Sequence, residues 1–222
     1  MTLVVVAGVV GILAAARLLD EDDLSVTDPG PVHVHALGLN PTERSLFIAT
    51  HTGLYRLEPD AQRAERVGDR YQDTMGFTVV GRDHFLGSGH PDRRDDLPPL
   101  LGLIGSRDAG ETWTPISLLG KVDFHALRVR GRRVVGYDAT SGRVMISEDG
   151  GLSWSSRRPP EPLLDVVVTP TSADVLLAAG ESRLFVSRDG GGRGRSVSKA
   201  LASWPGRAAT GSTSWTAMAA SG

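Results

Sequence analysis

The chain has 222 residues, 40% hydrophobic and 23% charged, enough for one ordinary domain with a real core. That balance excludes a disordered, collagenous or disulfide-stapled chain. With no cysteine, disulfides, thiolate zinc sites, iron–sulfur clusters, a cysteine nucleophile and a lipid-modified cysteine anchor are also excluded. A formal net charge of −2 supplies no basic field for nucleic acid.

The two ends differ from the middle. Leu3 to Ala16 is an unbroken apolar run followed by Arg17 and the acidic stretch Asp20 to Asp23. It is shorter than the roughly 20 residues a membrane-spanning helix needs. The length suits the apolar region of a signal peptide, and Ala14 to Ala16 supply small residues of the cleavage type. No Lys or Arg precedes the run, so residues 1–24 read as a signal peptide or as an uncleaved anchor, with export expected either way. Any membrane contact is expected through this segment alone. At the other end, residues after Asp189 hold no Asp or Glu but carry Arg193, Arg195, Lys199 and Arg207. From Gly191 onward period-2 alternation disappears, so 191–222 reads as a tail outside the repeats. Its abrupt change of composition is that of an out-of-frame reading of a GC-rich gene; a natural disordered tail is the alternative.

Between these ends, from 25 to 190, the chain repeats. Ser106-Arg107-Asp108-Ala109-Gly110-Glu111-Thr112-Trp113 matches Ser147-Glu148-Asp149-Gly150-Gly151-Leu152-Ser153-Trp154, and Ser187-Arg188-Asp189-Gly190-Gly191 begins a third copy. The aspartates are 41 and 40 residues apart. Such a segment reads as a hairpin turn. The carboxylate accepts hydrogen bonds from turn amides, a glycine takes positive φ, and a Trp on the returning strand covers the turn. Strands are predicted in the same order in each unit. The first are His33 to Leu39, Met75 to Val80, His125 to Val129 and Leu164 to Val168. The second are Leu46 to Thr50, His84 to Gly87, Arg133 to Tyr137 and Val175 to Ala179. The third are Leu54 to Leu57, Leu101 to Ile104, Arg143 to Ile146 and Leu184 to Val186. Four short strands per roughly 40 residues predict an all-β chain, a β-propeller of four-stranded blades with four visible. The insertion His90 to Pro99 reads as an exposed loop.

The Ser-x-Asp-x-Gly-x-x-Trp segments resemble the Asp-box, or bacterial neuraminidase repeat, of sialidase-like and sortilin-type propellers. Pro31 to Tyr55, Gln72 to Ile104 and Asp123 to Ser147 further resemble a group of exported bacterial Asp-box proteins labelled glycosyl-hydrolase-like or exo-α-sialidase-like. The resemblance covers residue 31 to about 190 and implies the fold more strongly than an activity. It gives Ser106, Asp108, Gly110, Trp113, Ser147, Asp149, Gly151, Trp154, Ser187, Asp189 and Gly191 a structural role. Propellers have roughly four to eight blades, and the Asp-box resemblance implies the six- to eight-bladed kind, so the four visible blades are expected to be an incomplete array, and a truncated, inactive product is one reading of the chain.

Aligning the four units places His33, Asp73, Asp123 and Pro162 in one column and His35, Met75, His125 and Leu164 in the column two residues on. Residues i and i+2 of a strand share a side, and first strands line the channel, so both columns should ring one mouth. Second strands return antiparallel and bring His51, His90 and Asp138 to the same end. Five of six histidines thus converge, with His84 at the opposite end. His33, His35, His51, Met75, His90 and His125 are the candidate ligands for a transition metal, Cu, Zn or Ni, the thioether favouring copper. The same groups could instead be polar packing around the mouth. The expected activity is that of a ligand-binding module for a small molecule, a glycan or an envelope protein. The alternative implied by the resemblance is a glycoside hydrolase, needing two carboxylates about 5 to 10 Å apart or a tyrosine nucleophile. Asp73, Asp123, Asp138 and Tyr137 are the candidates. A sialidase proper is disfavoured, because no channel-facing arginine stands in the two columns to grip a substrate carboxylate.

Overall fold

The computed structural model describes residues 28–170, 172, 174–190 and 198–199. The apolar N-terminal segment and most of 191–222, including Gly191, lie outside the described residues.

The described residues form four four-stranded antiparallel sheets and no helix, the blades of a β-propeller. Blade one consists of β1 (Val34–Leu39), β2 (Leu46–Thr50), β3 (Gly53–Leu57) and β4 (Glu65–Arg66). Blade two consists of β5 (Asp73–Gly81), β6 (His84–His90), β7 (Leu103–Ser106) and β8 (Thr114–Ser117). Blade three holds β9 (Phe124–Arg130), β10 (Arg133–Asp138), β11 (Arg143–Ser147) and β12 (Ser155–Arg157). Blade four holds β13 (Leu163–Val168), β14 (Leu176–Gly180), β15 (Leu184–Ser187) and β16 (Ser198–Lys199). The strand β16 is drawn from residues read as tail and pairs with β15 through Phe185 and Val186. The innermost strands pack in chain order, β1 on β5, β5 on β9 and β9 on β13.

A blade seated between two others buries both faces, so its strands are apolar on both sides. In β10, Val134 enters the cluster with Leu86 and Leu103 of blade two, whereas its neighbour Val135 joins Val166 and Leu176 of blade four. That alternation is the strand period used against two partners. Between blades one and two, Phe47, Ala49 and Leu54 meet Phe77 and Phe85, with Phe85 edge-on to Phe47 at 4.6 Å and to Phe77 at 5.4 Å between ring centroids.

The repeated turns have one geometry. Ser106 Oγ donates to Asp108 Oδ1 (2.8 Å) and accepts from Gly110 N (2.8 Å), while Thr112 N donates to Asp108 Oδ1 (2.9 Å). In the next blade, Ser147 Oγ, Asp149 and Gly151 N repeat these contacts at 2.7 and 2.8 Å, and Ser153 N donates to Asp149 Oδ1 at 2.9 Å. Ser187 Oγ donates to Asp189 Oδ1 at 2.7 Å in the third. Gly110 and Gly151 have φ of +92°, and a Cβ on either would lie within 2.4 Å of a leucine of the preceding blade, Leu54 or Leu103. Glycine is required there by both backbone angle and space. Trp113 packs on the Phe85 cluster, and Trp154 stacks at a tilt on Phe124 with its indole N–H on Ser117 Oγ at 3.0 Å.

The insertion between β6 and β7 is more anchored than its composition suggests. Asp92 within it is buried, accepting from Tyr71 N (2.8 Å) and Arg94 Nη2 (2.7 Å), and Leu101 is buried at its end. A buried carboxylate is tolerated because every lone pair has a donor.

Each first strand carries a β-bulge at one position. The register breaks between Val34 and Ala36 and between Thr74 and Gly76. In the next two blades it breaks across Phe124/Ala126 and Leu163/Asp165. The extra residues are His35, Met75, His125 and Leu164, the second of the two aligned columns. A bulge adds an unpaired residue and re-aims its side chain.

Candidate functional site

The structure divides the convergent groups into two clusters at one end of the first strands. In blade one, His33 leads into β1 with a left-handed φ of 57°, His35 is the bulge residue, and His51 follows β2 with its N–H on Val32 O at 3.2 Å. Asp73 opens β5 of blade two. His35 Nε2 lies 3.2 Å from His51 Nδ1, His51 Nδ1 lies 2.9 Å from Asp73 Oδ2, and His35 Nε2 lies 3.6 Å from Asp73 Oδ1. His33 covers this group, stacked on His35 at 4.9 Å and edge-on to His51 at 4.5 Å.

The second cluster joins blades two and three. Asp123, buried ahead of β9, receives His125 Nε2 at 2.9 Å on Oδ2, and His90 Nε2 stands 3.6 Å from the same oxygen. His90 Nδ1 is 2.8 Å from Pro99 O. A carbonyl only accepts, so His90 Nδ1 carries the proton of that bond and the ring's Nε2 is turned to Asp123. Asp73 Oδ1 and Asp123 Oδ1 are buried oxygens with no hydrogen-bond partner among the described residues.

The two clusters sense one another. Burial, and then the His51 charge, hold His35 below the usual histidine range, with the Asp73 carboxylate opposing and His33 and His125 adding smaller repulsions. The bond to Asp123 moves His125 the other way, against the cost of burial, helped by the charges of Asp123, Asp73 and Asp138. His35 is therefore a neutral nitrogen donor at neutral pH, while His125 is drawn toward imidazolium.

Two of the four candidates for glycoside hydrolysis stand apart. Asp138 closes its own turn: it accepts from Asp123 N (3.2 Å), Thr140 N (3.1 Å) and Ser141 N (3.2 Å), and Ser141 Oγ also donates to it. Tyr137 is buried in the core between blades three and four with Val144 and Val166, because its side chain takes the opposite side of β10. Met75 is half-buried at the bulge of β5, and His84 lies at the far end of β6. The signal that sequence reasoning lacked was the pairing of Asp73 with blade one. It was placed in a column with His33 rather than against His51.

Three residues in the first cluster, His35, His51 and Asp73, suit a cation. One proton on His51 Nδ1 can serve Asp73 Oδ2 only, and leaves both Asp73 Oδ1 and the His35 Nε2 lone pair without a full donor. Donors on a tetrahedral ion at about 2.0 to 2.1 Å sit about 3.3 Å apart; His35 Nε2 and His51 Nδ1 are 3.2 Å apart, and Asp73 meets them through separate oxygens, Oδ1 at 3.6 Å from His35 and Oδ2 at 2.9 Å from His51. The ligating atoms of His35, His51 and Asp73 all lie within 4.8 Å of one another.

No family model and no curated protein matches the chain. Solved structures do, at the level of fold. An ancestral GH74 enzyme superposes with a TM-score of 0.55 at 11% identity over 74% of this chain and 24% of that one. A chain of a nidogen/laminin complex gives 0.52 at 12% identity, over 68% of this chain and 57% of that one. The GH74 xyloglucanase from Xanthomonas campestris gives 0.47 at 19% identity, over 75% and 30%. The chain thus spans about a quarter of the first of these and just over half of the second. The class these findings define is the β-propeller.

Proposed function

We propose that this chain acts as a ligand-binding module of an exported Asp-box-type propeller, and that its channel-mouth cluster takes one divalent transition metal, copper, zinc or nickel. The observation that carries the reading is the mutual spacing of His35 Nε2, His51 Nδ1 and the Asp73 carboxylate, 2.9 to 3.6 Å. Two imidazoles and a carboxylate are the donor set of zinc and copper sites, and the buried, unpartnered Asp73 Oδ1 supports a positive partner. Three protein donors leave a tetrahedral ion one open position, which a hydroxyl or carboxylate of a small molecule, glycan or envelope protein would fill. Export rests on the apolar run Leu3 to Ala16, and the Asp-box assignment on the three matching turns.

The test is elemental analysis of the purified full chain after exposure to each of the three metals, beside a His35→Ala/His51→Ala variant. One equivalent in the parent, lost in a variant with unchanged circular dichroism, is expected. A folded parent that takes up none of the three metals overturns the metal reading.

A further inference from the structure

The two end faces of the blade array carry apolar residues at positions that are covered in the blades between them. In register, Leu37 of β1 corresponds to Phe77, Leu127 and Val166, and Leu39 to Val79, Val129 and Val168. Those counterparts pack on the preceding blade, whereas Leu37 and Leu39 are 62% and 51% exposed. On the opposite side of the array, Leu177 of β14 corresponds to Phe47, Leu86 and Val135, and Leu184 of β15 to Leu54 and Val144. Each of these counterparts is buried, most under the following blade, while Leu177 and Leu184 are 40% and 54% exposed. With Val167, Ala179 and Val186, they line an apolar depression on blade four.

We propose that a second copy of this chain covers these faces, blade four of one copy packing head to tail on blade one of the next. The contact continues an interface the chain already forms three times, between blades one and two, two and three, and three and four. Leu177 takes the place of Phe47, and Leu46 that of Phe85, the pair whose rings stand 4.6 Å apart within the chain. Because the two faces differ, the contact is heterologous. Two copies joined twice make eight blades, within the range of about four to eight that propellers adopt. The inference is independent of the metal reading.

Sedimentation of the full chain over a range of concentrations tests it. A species of twice the chain mass is expected, and Leu37→Lys and Leu177→Lys should each weaken association about tenfold or more while leaving the circular dichroism unchanged, since both sites are exposed. The absence of native cysteine allows a geometric check with a short bis-maleimide. Leu37→Cys mixed with Leu177→Cys should cross-link, and neither alone should. A folded single chain at every concentration overturns the proposal, as would a face covered in cis by residues 191–222. Association untouched by both lysine variants, as through the apolar run at Leu3 to Ala16, also overturns it. So does a cross-link between two Leu37→Cys chains.

Discussion

Asp73 and His90 stand opposite each other as cross-strand partners of β5 and β6, yet their side chains serve different blades. The Asp73 carboxylate turns to His51 and His35 of blade one, and the His90 imidazole turns to Asp123 of blade three. One rung of blade two therefore links the two clusters. A substitution at either position should be felt across two inter-blade seams.

Asp73→Asn removes the charge and one acceptor from the first cluster while keeping the shape. Metal affinity by titration calorimetry should fall at least tenfold, about 1.4 kcal/mol or more. Parent affinity in a folded Asp73→Asn chain would take this carboxylate out of the donor set.

Ser147→Ala should destabilise the fold without touching the mouth. The buried Gly151 N–H loses its acceptor, and Asp149 loses a donor. A buried amide left unsatisfied costs about 1 to 3 kcal/mol, read as a lower melting temperature and midpoint of urea denaturation. Ser106→Ala tests the same contact in blade two.

The turn aspartates also set the acid limit. Hydrogen bonds from Ser153 and Ser147 hold the Asp149 carboxyl below the usual range, and those from Thr112 and Ser106 do the same for Asp108. A depressed carboxylate contributes stability that is complete above its unfolded value of about 3.9 and is lost as pH falls through the folded value. Between about pH 5 and pH 2 the melting temperature of the parent should therefore drop more steeply than that of Asp149→Asn. Parallel curves would show that this carboxylate is not linked to folding.

Gly76→Ala should loosen the seam between blades two and three. A Cβ there would lie 2.4 Å from the backbone oxygen of Phe124, an atom that moves only with β9. Overpacking of this kind costs about 1 to 3 kcal/mol or more. Gly81→Ala, whose Cβ would meet nothing within 4 Å, should stay within about 0.5 kcal/mol of the parent. Equal losses at both positions would mean that strand flexibility, rather than space, is limiting.

Much of this architecture was legible locally. The 41- and 40-residue spacing of Asp108, Asp149 and Asp189, with apolar runs ahead of each, located three blades, and the same order of apolar runs ahead of them located the first, because turn chemistry and strand alternation are short-range. The same alignment placed His35, Met75, His125 and Leu164 in one column, since a repeat keeps equivalent residues in equivalent places. It did not show that the column is a bulge, because a bulge is defined by the partner strand. It also grouped Asp138 and Tyr137 with the mouth. Only the turn amides around Asp138 and the side of β10 taken by Tyr137 sent the first into its own loop and the second into the core.

What the sequence by itself determined was the repeat, its strands and turns, and the end of the array to which the histidines go. These follow from residues within about forty positions of one another, in which local hydrogen bonding and alternation act alone. Tertiary structure alone decided that Asp73 belongs with His35 and His51, that Asp123 belongs with His90 and His125, and that the outer leucines of blades one and four are left uncovered. Each depends on how one blade seats on the next. That seating is set by side-chain packing between Phe47 and Phe85, between Leu103 and Gly151 and between Val135 and Val166, contacts that no single repeat contains.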